Sequence, residues 1–555
     1  MSTEFAQSDD EDPRKLLGVV ATQLTPALQR LFAALEKVFP IRFEQTNSID
    51  RKRFAGVVAI DRELLGDTAG AVPRLVLCPG ARTHGRQTVV SLSEDVGLAR
   101  PLRRARIPEE AVASAPAPAL ADPVRVLASA EGKPIWWQSG EGHEALCVSA
   151  YPPAELREGE ALRDHLRSGC FMTLLPLLHF IGLLLGEQAS TLPCLRASIV
   201  IDDPNLHWPT YGYLEYAELI DHACKHGYHV ALATVPLDGW LVNRRAASLV
   251  RENPSAMSLL MHGNDHVARE LGRLNDHNAE PAIAQGLRRI AALEHRSGVM
   301  VDRVMAPPHG ACSEPALRAM FRLGIEAACI SRPYPWRDDL PAPTSLAGWR
   351  PAEMVAGGLP VLSRYALSLP REDLVFRALL GQPLILYGHH QDFSDGLDLL
   401  AQAAGEINGL GEVRWGSLGW IARGNYTTRR VGEILHVGMH SRRVSIDVPD
   451  GVRTLHVQVP EPFSGPAWHE LACAGKTTAM SFREGLGESV VGPVEGPAKL
   501  ELTLRADSPL DPAEVATRRF RPWPPMRRVL VEGRDRMQPL LSVGSGSKAQ
   551  SHAGR

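Results

Sequence analysis

The sequence predicts an α/β protein built around a central (β/α) barrel of about seven strands. Apolar, strand-like runs alternate with helical patterns over residues 191–427, which is typical of repeated βα units and a parallel sheet. Carboxylate and imidazole side chains directly follow several of these runs, and the strand ends of a parallel barrel meet at one edge. The pattern predicts an open α/β domain before this region, over residues 15–190, and a small antiparallel, β-sandwich-like module after it, over 428–510.

Composition narrows the class of protein. The chain has 555 residues, enough for three domains, and its 44% hydrophobic and 22% charged residues are typical of a globular protein. A net charge of -3 and the lack of a nucleic-acid-binding motif argue against a nucleic-acid partner. The N-terminus lacks the features of a secretory signal, and the eight cysteines are scattered without a CxxC motif. These observations predict reduced thiols and a cytoplasmic location.

Residues 15–190 carry the pattern of an α/β domain. An amphipathic helix is expected over residues 24–38, and strands are expected over 56–60, 74–78, 124–128 and 145–148. The pattern is similar to glutamine-amidotransferase-like domains. Because Cys78 lacks the flanking residues of a nucleophile elbow, we expect this domain to be non-catalytic.

Two polar terminal segments and one apolar internal segment lie outside these patterns. Residues 1–14 are polar and predicted to be disordered, and residues 511–555 are predicted to form an extended tail. Residues 170–186 are almost entirely apolar, but Pro176 and His179 interrupt the run. We therefore expect a buried helix there rather than a membrane span, and membrane contact is not predicted, although the sequence does not exclude it.

Six strands and five helices are expected in the barrel region. The strands are 197–201, 228–235, 257–261, 301–306, 325–330 and 384–387, and the helices are 213–226, 243–252, 281–295, 314–323 and 371–380. Beyond the barrel, the period changes to two over 433–448 and 453–459, with the hairpin signal Asp450-Gly451 between them.

The pair Asp202-Asp203 directly follows the first barrel strand. Adjacent residues at a strand end point to opposite sides, so one carboxylate can bind a metal while its neighbour serves as a base. The alternative is an acidic pair that caps a turn.

His262 and His266 follow the third barrel strand. Their spacing of four residues would place both imidazoles on one face of a helical turn, close enough to share a metal. The alternative is a polar loop. His222 and His226 have the same spacing, but they lie at the end of a predicted helix, where imidazole interacts favourably with the helix dipole. We interpret that second pair as a solvated helix end.

Further polar and aromatic residues follow the later strands. His389 and His390 close strand 384–387 and are candidates for proton transfer, or else ordinary loop histidines. Pro308 and His309 follow strand 301–306 and are expected to line the rim of the site. Four aromatic residues are candidates for stacking on a substrate ring, namely Trp208, Tyr211, Tyr334 and Trp336.

Taken in order, these motifs resemble the polysaccharide-deacetylase family with the NodB homology domain. The matching order is Asp-Asp, His-x-x-x-His, a Pro-x-Gly turn and a late strand that ends in His, from Arg196 to roughly Leu410. The resemblance implies a barrel of about seven strands and a divalent metal, with zinc expected. It implies Asp202 as the base, His389 or His390 as the acid, and three metal ligands: Asp203, His262 and His266.

The chain departs from the family pattern at three positions. Pro204 follows the Asp pair where the family usually has Gly, and Gly263 follows the first His where the family has Ser or Thr. Ala306 stands where the family has an Arg that orients the base, and Arg303 is out of register with that position. The chain therefore resembles a divergent branch, and the tuning of the base is an open question.

The resemblance implies removal of N- or O-acetyl groups from a saccharide or polysaccharide. The main alternative is a non-catalytic carbohydrate-binding protein or a scaffold of surface-polysaccharide assembly, which the missing Arg would favour. A phosphoesterase is a weaker alternative, because such sites often use two metals and the sequence offers ligands for one. The oligomeric state is not predicted.

Overall fold

A computed structural model describes residues 14–47, 49–50, 52–60, 72–78, 82–112, 124–331, 345–368, 371–460, 468–483 and 485–549. The chain forms two compact units. One contains Met1–Ser190 with Ala342–Trp349 and Arg371–Leu379, and the other contains the remaining residues. The segment 1–14, predicted to be disordered, lies outside the described residues except for Arg14.

The first unit is an α/β domain with a mixed nine-stranded sheet in the order β2-β1-β3-β4-β9-β8-β7-β5-β6. The strands from β2 to β9 in this order pair in parallel, and the others pair antiparallel. The strands are β1 (Lys15–Val20), β2 (Ile41–Gln45), β3 (Gly56–Ile60), β4 (Arg74–Leu77), β5 (Arg82–Leu92), β6 (Arg106–Val112), β7 (Val124–Ala130), β8 (Lys133–Ser139) and β9 (Leu146–Ser149). The helices are α1 (Pro26–Glu36) and α2 (Leu175–Leu185).

Helix α2 lies within the apolar segment 170–186 and has 11 residues. Nowhere in the part of the chain that the structure describes does a helix combine the length and the apolar character that crossing a bilayer requires.

The second unit contains a closed barrel of seven parallel strands, as predicted. Its order is β13-β14-β15-β16-β18-β19-β10, and β10 pairs with β13 to close it. The strands of this region are β10 (Leu195–Asp202), β11 (Thr210–Tyr211), β12 (Leu214–Glu215), β13 (Val230–Thr234), β14 (Met257–Met261), β15 (Val301–Met305), β16 (Ala327–Ile330), β17 (Glu353–Val355), β18 (Leu359–Ala366), β19 (Leu384–Gly388) and β20 (Val413–Trp415). The helices are α3 (Tyr216–His226), α4 (Arg244–Glu252), α5 (Ala279–Ser297), α6 (Glu314–Arg322), α8 (Asp398–Gly409) and α9 (Leu418–Arg423). Helix α7 (Leu374–Leu379) lies between β18 and β19 in the chain but belongs to the first unit.

The interior of the barrel is filled by small and branched apolar side chains. Fully buried members of this cluster include Val200, Leu260, Val304, Leu362 and Ile385. Because side chains alternate along a strand, the same interior face continues at the carboxyl ends of these strands. The residues in those positions are Asp202, His262, Ala306, Arg364 and His389. The barrel therefore brings the predicted site residues Asp202, His262 and His389 to one layer with Arg364, which was not predicted.

The predicted continuity of the barrel domain over 191–427 is wrong at two segments, Ala342–Trp349 and Arg371–Leu379, which belong to the first unit. The Asp373 carboxylate accepts hydrogen bonds from the Ser168 backbone N–H and hydroxyl at 2.7 and 2.9 Å. The Phe376 ring lies 5.2 Å from the Phe171 ring. These polar and aromatic contacts, which sequence spacing does not reveal, hold residues 371–379 on the first unit.

The β module consists of a five-stranded sheet, β21-β22-β24-β28-β27, and a four-stranded sheet, β23-β29-β25-β26. The strands are β21 (Tyr426–Val431), β22 (Ile434–Met439), β23 (Arg443–Val448), β24 (Thr454–Pro460), β25 (Glu470–Cys473), β26 (Lys476–Ala479), β27 (Ser481–Arg483), β28 (Leu486–Val491) and β29 (Ala498–Arg505). The expected hairpin at Asp450-Gly451 is wrong, because β23 pairs antiparallel with β29 while β24 pairs in parallel with β22. An Asp-Gly turn reverses the direction of the chain but does not determine which strands pair with each other. Here the turn connects β23 of the four-stranded sheet to β24 of the five-stranded sheet.

The predicted extended tail over 511–555 is also wrong in part, because Trp523–Ala549 form helix α10. Prolines at the start of a helix are tolerated, since the first N–H groups have no intrahelical partner. The side of α10 that faces the barrel carries charged residues, namely Arg528, Glu532 and Asp535. A search for an apolar inward face therefore misses this helix.

Candidate metal centre and active site

The two carboxylates at the end of β10 point to different sides. Asp202 occupies the interior layer of the barrel and is 3% exposed. Asp203 has a φ of 84°, a left-handed conformation that non-glycine residues adopt only when their surroundings hold them there. In this conformation its Oδ1 lies 3.1 Å from Nε2 of His266. The chain therefore turns at Asp203 towards the histidine loop.

The expected helical turn at residues 262–266 is wrong, because these residues form a loop. The loop has left-handed φ angles of 67° at Gly263 and 54° at His266. The carboxylate of Glu270 accepts hydrogen bonds from three successive backbone N–H groups, those of residues 264, 265 and 266, at 2.8–3.1 Å. This anchor places the His262 and His266 ring centroids 5.0 Å apart.

Asp203, His262 and His266 converge as predicted. Each offers one ligand atom, and these atoms all lie within 4.8 Å of one another. The Nδ1–H of His262 donates to the Ala306 carbonyl at 2.8 Å, which leaves its Nε2 as the ligand atom. The Nδ1 of His266 is buried and has no hydrogen-bond partner among the described residues. This donor set suits a divalent cation and leaves open positions, as a catalytic site requires.

Electrostatics keep the donors in the state that binds a metal. Burial lowers the pKa of His266 to about 3 despite the opposing effect of Asp203. Burial also lowers the pKa of His262. For Asp203, burial favours the neutral form, but the adjacent Arg528 guanidinium, which stays charged when both imidazoles are neutral, holds its pKa below the usual range. Two neutral imidazoles and an ionised carboxylate result, which is the combination that binds zinc.

Arg364 holds Asp202 in a buried, bidentate ion pair. Its Nη1 donates to Oδ1 at 2.7 Å and its Nη2 donates to Oδ2 at 2.9 Å. Burial would raise the pKa of Asp202, but the Arg364 guanidinium lowers it below its ordinary value. Asp202 is therefore ionised at neutral pH and fixed in orientation.

Sequence reasoning missed Arg364 because strand β18 was not predicted. The apolar run Leu359-Pro360-Val361-Leu362 ahead of it was the available signal. Ala306, at the end of β15, is fully buried in the interior cluster. The guanidinium that pairs with Asp202 therefore comes from β18 and not from the position of Ala306.

The structure separates the two late histidines. His389 lies on the same strand face as Ile385 and Tyr387, and it is exposed to solvent at the barrel mouth. His389 is therefore the histidine that shares the interior layer with the candidate base.

His390 points to the opposite side and is 1% exposed. Its ring packs against Tyr211 and Tyr213 at centroid distances of 5.4 and 5.9 Å. Its Nε2 lies 3.7 Å from Oδ2 of Asp535. Gly212 leaves room for this ring, since a Cβ there would lie 2.1 Å from its Nδ1.

Pro308 and His309 lie beside the histidine loop, where they were expected. A Cβ at Gly263 would lie 2.7 Å from Cγ of Pro308, which explains the glycine at a position where the family has Ser or Thr. The His309 ring centroid is 6.0 Å from that of His266, and the residue is exposed. His309 is thus a wall of the site, outside the group of three ligands.

Of the four aromatic residues that were candidates for stacking on a substrate ring, the two that the structure describes differ in their exposure to solvent. Trp208 is 54% exposed and available for contact with a ligand. Tyr211 is fully buried and its hydroxyl donates to Asp535 at 3.1 Å, so the expectation that it stacks on a substrate is wrong. Its turn packs under α10, which the sequence did not reveal. Trp336 and Tyr334 lie outside the described residues.

Helix α10 adds Arg528 to the site, a second residue that sequence reasoning missed. Its Nη2 donates to the Asp203 carbonyl at 2.7 Å and its Nη1 to the Asp203 carboxylate at 3.3 Å. Its Nε donates to Asp238 at 2.8 Å. These hydrogen bonds from Arg528 stabilise the left-handed backbone conformation at Asp203.

The protein therefore has a parallel seven-stranded barrel with a candidate three-ligand site for one cation at the carboxyl ends of the strands. No family model matches the chain, and no curated protein sequence matches it. Among solved structures, the chain is similar to a family 4 carbohydrate esterase from Streptomyces lividans, at 14% identity over 41% of this chain and 93% of that one, with a TM-score of 0.26. It is also similar to a CE4 esterase from Streptococcus mutans, at 15% identity over 40% of this chain and 86% of that one, with a TM-score of 0.25.

A polysaccharide deacetylase from Bacillus cereus is similar at 12% identity over 40% of this chain and 91% of that one, with a TM-score of 0.23. That protein carries the family name that the motifs indicated. With identities and TM-scores this low, none of these likenesses says what this chain binds or cleaves. The inferences about its chemistry rest on its own residues.

Proposed function

We propose that the protein is a metal-dependent hydrolase, a divergent member of the polysaccharide-deacetylase family that removes N- or O-acetyl groups from a saccharide. One observation carries the proposal. The Asp203, His262 and His266 ligand atoms, all within 4.8 Å of one another, lie beside a second carboxylate, Asp202, that an arginine holds ionised. A ligand set next to a positioned base is the arrangement that hydrolysis of an amide or ester requires.

A divalent cation, with zinc expected, would polarise the acyl carbonyl and lower the pKa of water from about 15.7 towards about 7. Asp202 takes a proton from the attacking water, since its carboxylate is ionised and held by Arg364. His389, on the same interior face and open to solvent, protonates the leaving amine or alcohol. Trp208, exposed beside the mouth, offers a face for a sugar ring.

The non-catalytic alternative drew its support from the missing family arginine. With Arg364 paired to Asp202, that reason no longer holds, because the base has its guanidinium partner from a different strand. The phosphoesterase alternative gains no support either, since the described residues offer a single three-ligand group.

The test is release of acetate from a panel of N- and O-acetylated oligosaccharides by the full-length protein. We expect chelator treatment to abolish release and added zinc to restore it. Asp202→Asn should keep bound metal but lose about 10²–10⁴-fold in turnover, whereas His262→Ala should lose both. His226→Ala is the matched control and should change neither.

Full activity after chelation, or activity retained in Asp202→Asn, would refute the mechanism. Bound metal without acetate release from any substrate of the panel would favour the carbohydrate-binding alternative.

We also propose a cytoplasmic, reducing location. No disulfide joins the eight cysteines, all of which lie in the described part of the chain, and four of them are buried. Labelling of thiols in intact and permeabilised cells tests this, since protection from an impermeant reagent in intact cells is expected.

A further inference from the structure

Helix α10 has two unlike faces, and the inner face is the polar one. Arg528, Glu532 and Asp535 follow one another at helical spacing and all point towards the barrel. Arg528 bonds Asp203 and Asp238, the Glu532 carboxylate lies 2.9 Å from Nδ1 of His207, and Asp535 accepts from Tyr211. Charged contacts therefore hold the inner face on the barrel.

The outer face of α10 is apolar and exposed. The spacing of three, four and seven residues along Trp523, Met526, Leu530 and Met537 places them on one side of the helix. These side chains are 61%, 59%, 67% and 55% exposed, and neighbouring Val529 is 60% exposed. A surface helix normally turns its apolar stripe inwards, so the arrangement here is reversed. Exposed contiguous apolar surface of this kind marks a binding face.

The exposed apolar side chains of α10 extend over several helical turns, from Trp523 to Met537. We call these side chains the outer face, namely Trp523, Met526, Val529, Leu530 and Met537.

The exposed charges that α10 and the residues before it contribute have one sign. Between residues 518 and 537 the only acidic side chains are Glu532 and Asp535, and both point inwards. The exposed ionised side chains of this segment are Arg519, Arg521 and Arg534, and Arg534 is paired with Asp535 at 2.6 Å. The positive charge of Arg519 and Arg521 beside an apolar face complements an anionic surface. Two copies of this face would oppose like charges, which disfavours self-association.

We propose that the outer face binds the surface of a lipid bilayer that contains anionic lipids. Helix α10 lies in the plane of the membrane, with tryptophan, methionine and leucine side chains at the level of the headgroups and arginines against the phosphates. This binding is independent of the hydrolase chemistry, because the inner face keeps its contacts with the barrel.

The test is flotation of the full-length protein with vesicles of phosphatidylcholine alone or of phosphatidylcholine with added phosphatidylglycerol. We expect binding to the anionic vesicles and release by high salt. Leu530→Asp should weaken binding about tenfold or more, because a large apolar side chain is lost from the interface. Met526→Asp tests a second turn of the same stripe, and Arg521→Gln should weaken binding about fivefold.

The matched control is Val490→Asp on strand β28, where the wild-type side chain is 56% exposed outside the outer face. This variant should bind as the wild type does. Circular dichroism and metal content, unchanged in every variant, separate loss of membrane binding from loss of fold. Failure of the wild type to bind anionic vesicles, or equal binding by Leu530→Asp and Met526→Asp, would overturn the proposal. So would a dimer in light scattering that Leu530→Asp dissociates, because a second copy would then cover the face.

Discussion

Replacing Arg364 by methionine tests the account of the base. The variant keeps the length of the side chain but leaves the Asp202 carboxylate buried without its bidentate partner. The side chains of the pair are 2% and 4% exposed. Removing one member of so deeply buried a pair costs about 3–5 kcal/mol of the free energy of unfolding.

The same change acts on protonation. Burial, now unopposed by the guanidinium, raises the pKa of Asp202. Because a base must be unprotonated, the acid limb of the pH–rate profile should move to higher pH. Arg364→Lys keeps the charge without the bidentate geometry, so it should show a smaller shift.

Urea denaturation and the pH dependence of acetate release measure both effects. Arg303→Met is the matched control, since Arg303 pairs with Glu294 through two contacts of 2.8 Å but is 30% exposed. We expect that control to cost about 1 kcal/mol or less and to leave the pH profile unchanged. An unmoved acid limb in Arg364→Met, with a stability loss no larger than that of the control, would refute the reasoning.

Three further predictions concern the histidine loop and a buried histidine. Glu270→Gln weakens the acceptor of three backbone N–H groups and should reduce metal affinity about 10–100-fold by titration calorimetry, and unchanged affinity would show that the loop needs no anchor. Gly263→Ala adds a Cβ 2.7 Å from Pro308 at a left-handed φ and should lower the free energy of unfolding by about 1–3 kcal/mol, whereas a neutral effect would mean that the loop shifts freely. His229 is fully buried with its pKa lowered from 6.5 to about 4 by burial, so the unfolded state binds more protons between those values. Stability should therefore be complete above about pH 6.5 and fall by about 2 kcal/mol towards pH 5, and His229→Gln should show a correspondingly flatter profile in denaturation curves.

The barrel and its ligands could be predicted because both depend on local patterns. Strand β14 was predicted with its observed ends, and the histidines behind it converge on Asp203 as expected. The ligand geometry differs from the prediction, since a loop anchored by Glu270 replaces the helical turn. A carboxylate that accepts from backbone N–H groups four to six residues away leaves no periodic signal in a sequence.

The arginines at the site could not be predicted because their partners are distant along the chain. Arg364 lies 162 residues from Asp202, and Arg528 lies 325 residues from Asp203. The first pairing depends on closure of the barrel, and the second depends on the docking of α10. The spacing of residues along the sequence indicates neither event. The reversed polarity of α10 also made its sequence resemble a tail, because the apolar residues that normally indicate a packed face point outwards.

The metal content of purified protein tests the central claim most directly. After dialysis against zinc and removal of free metal, the wild type and His226→Ala should each retain about one equivalent, whereas Asp203→Asn and His262→Ala should retain much less with their circular dichroism spectra unchanged. Equal zinc content in all four proteins would show that Asp203 and His262 do not hold a cation, and would contradict the account.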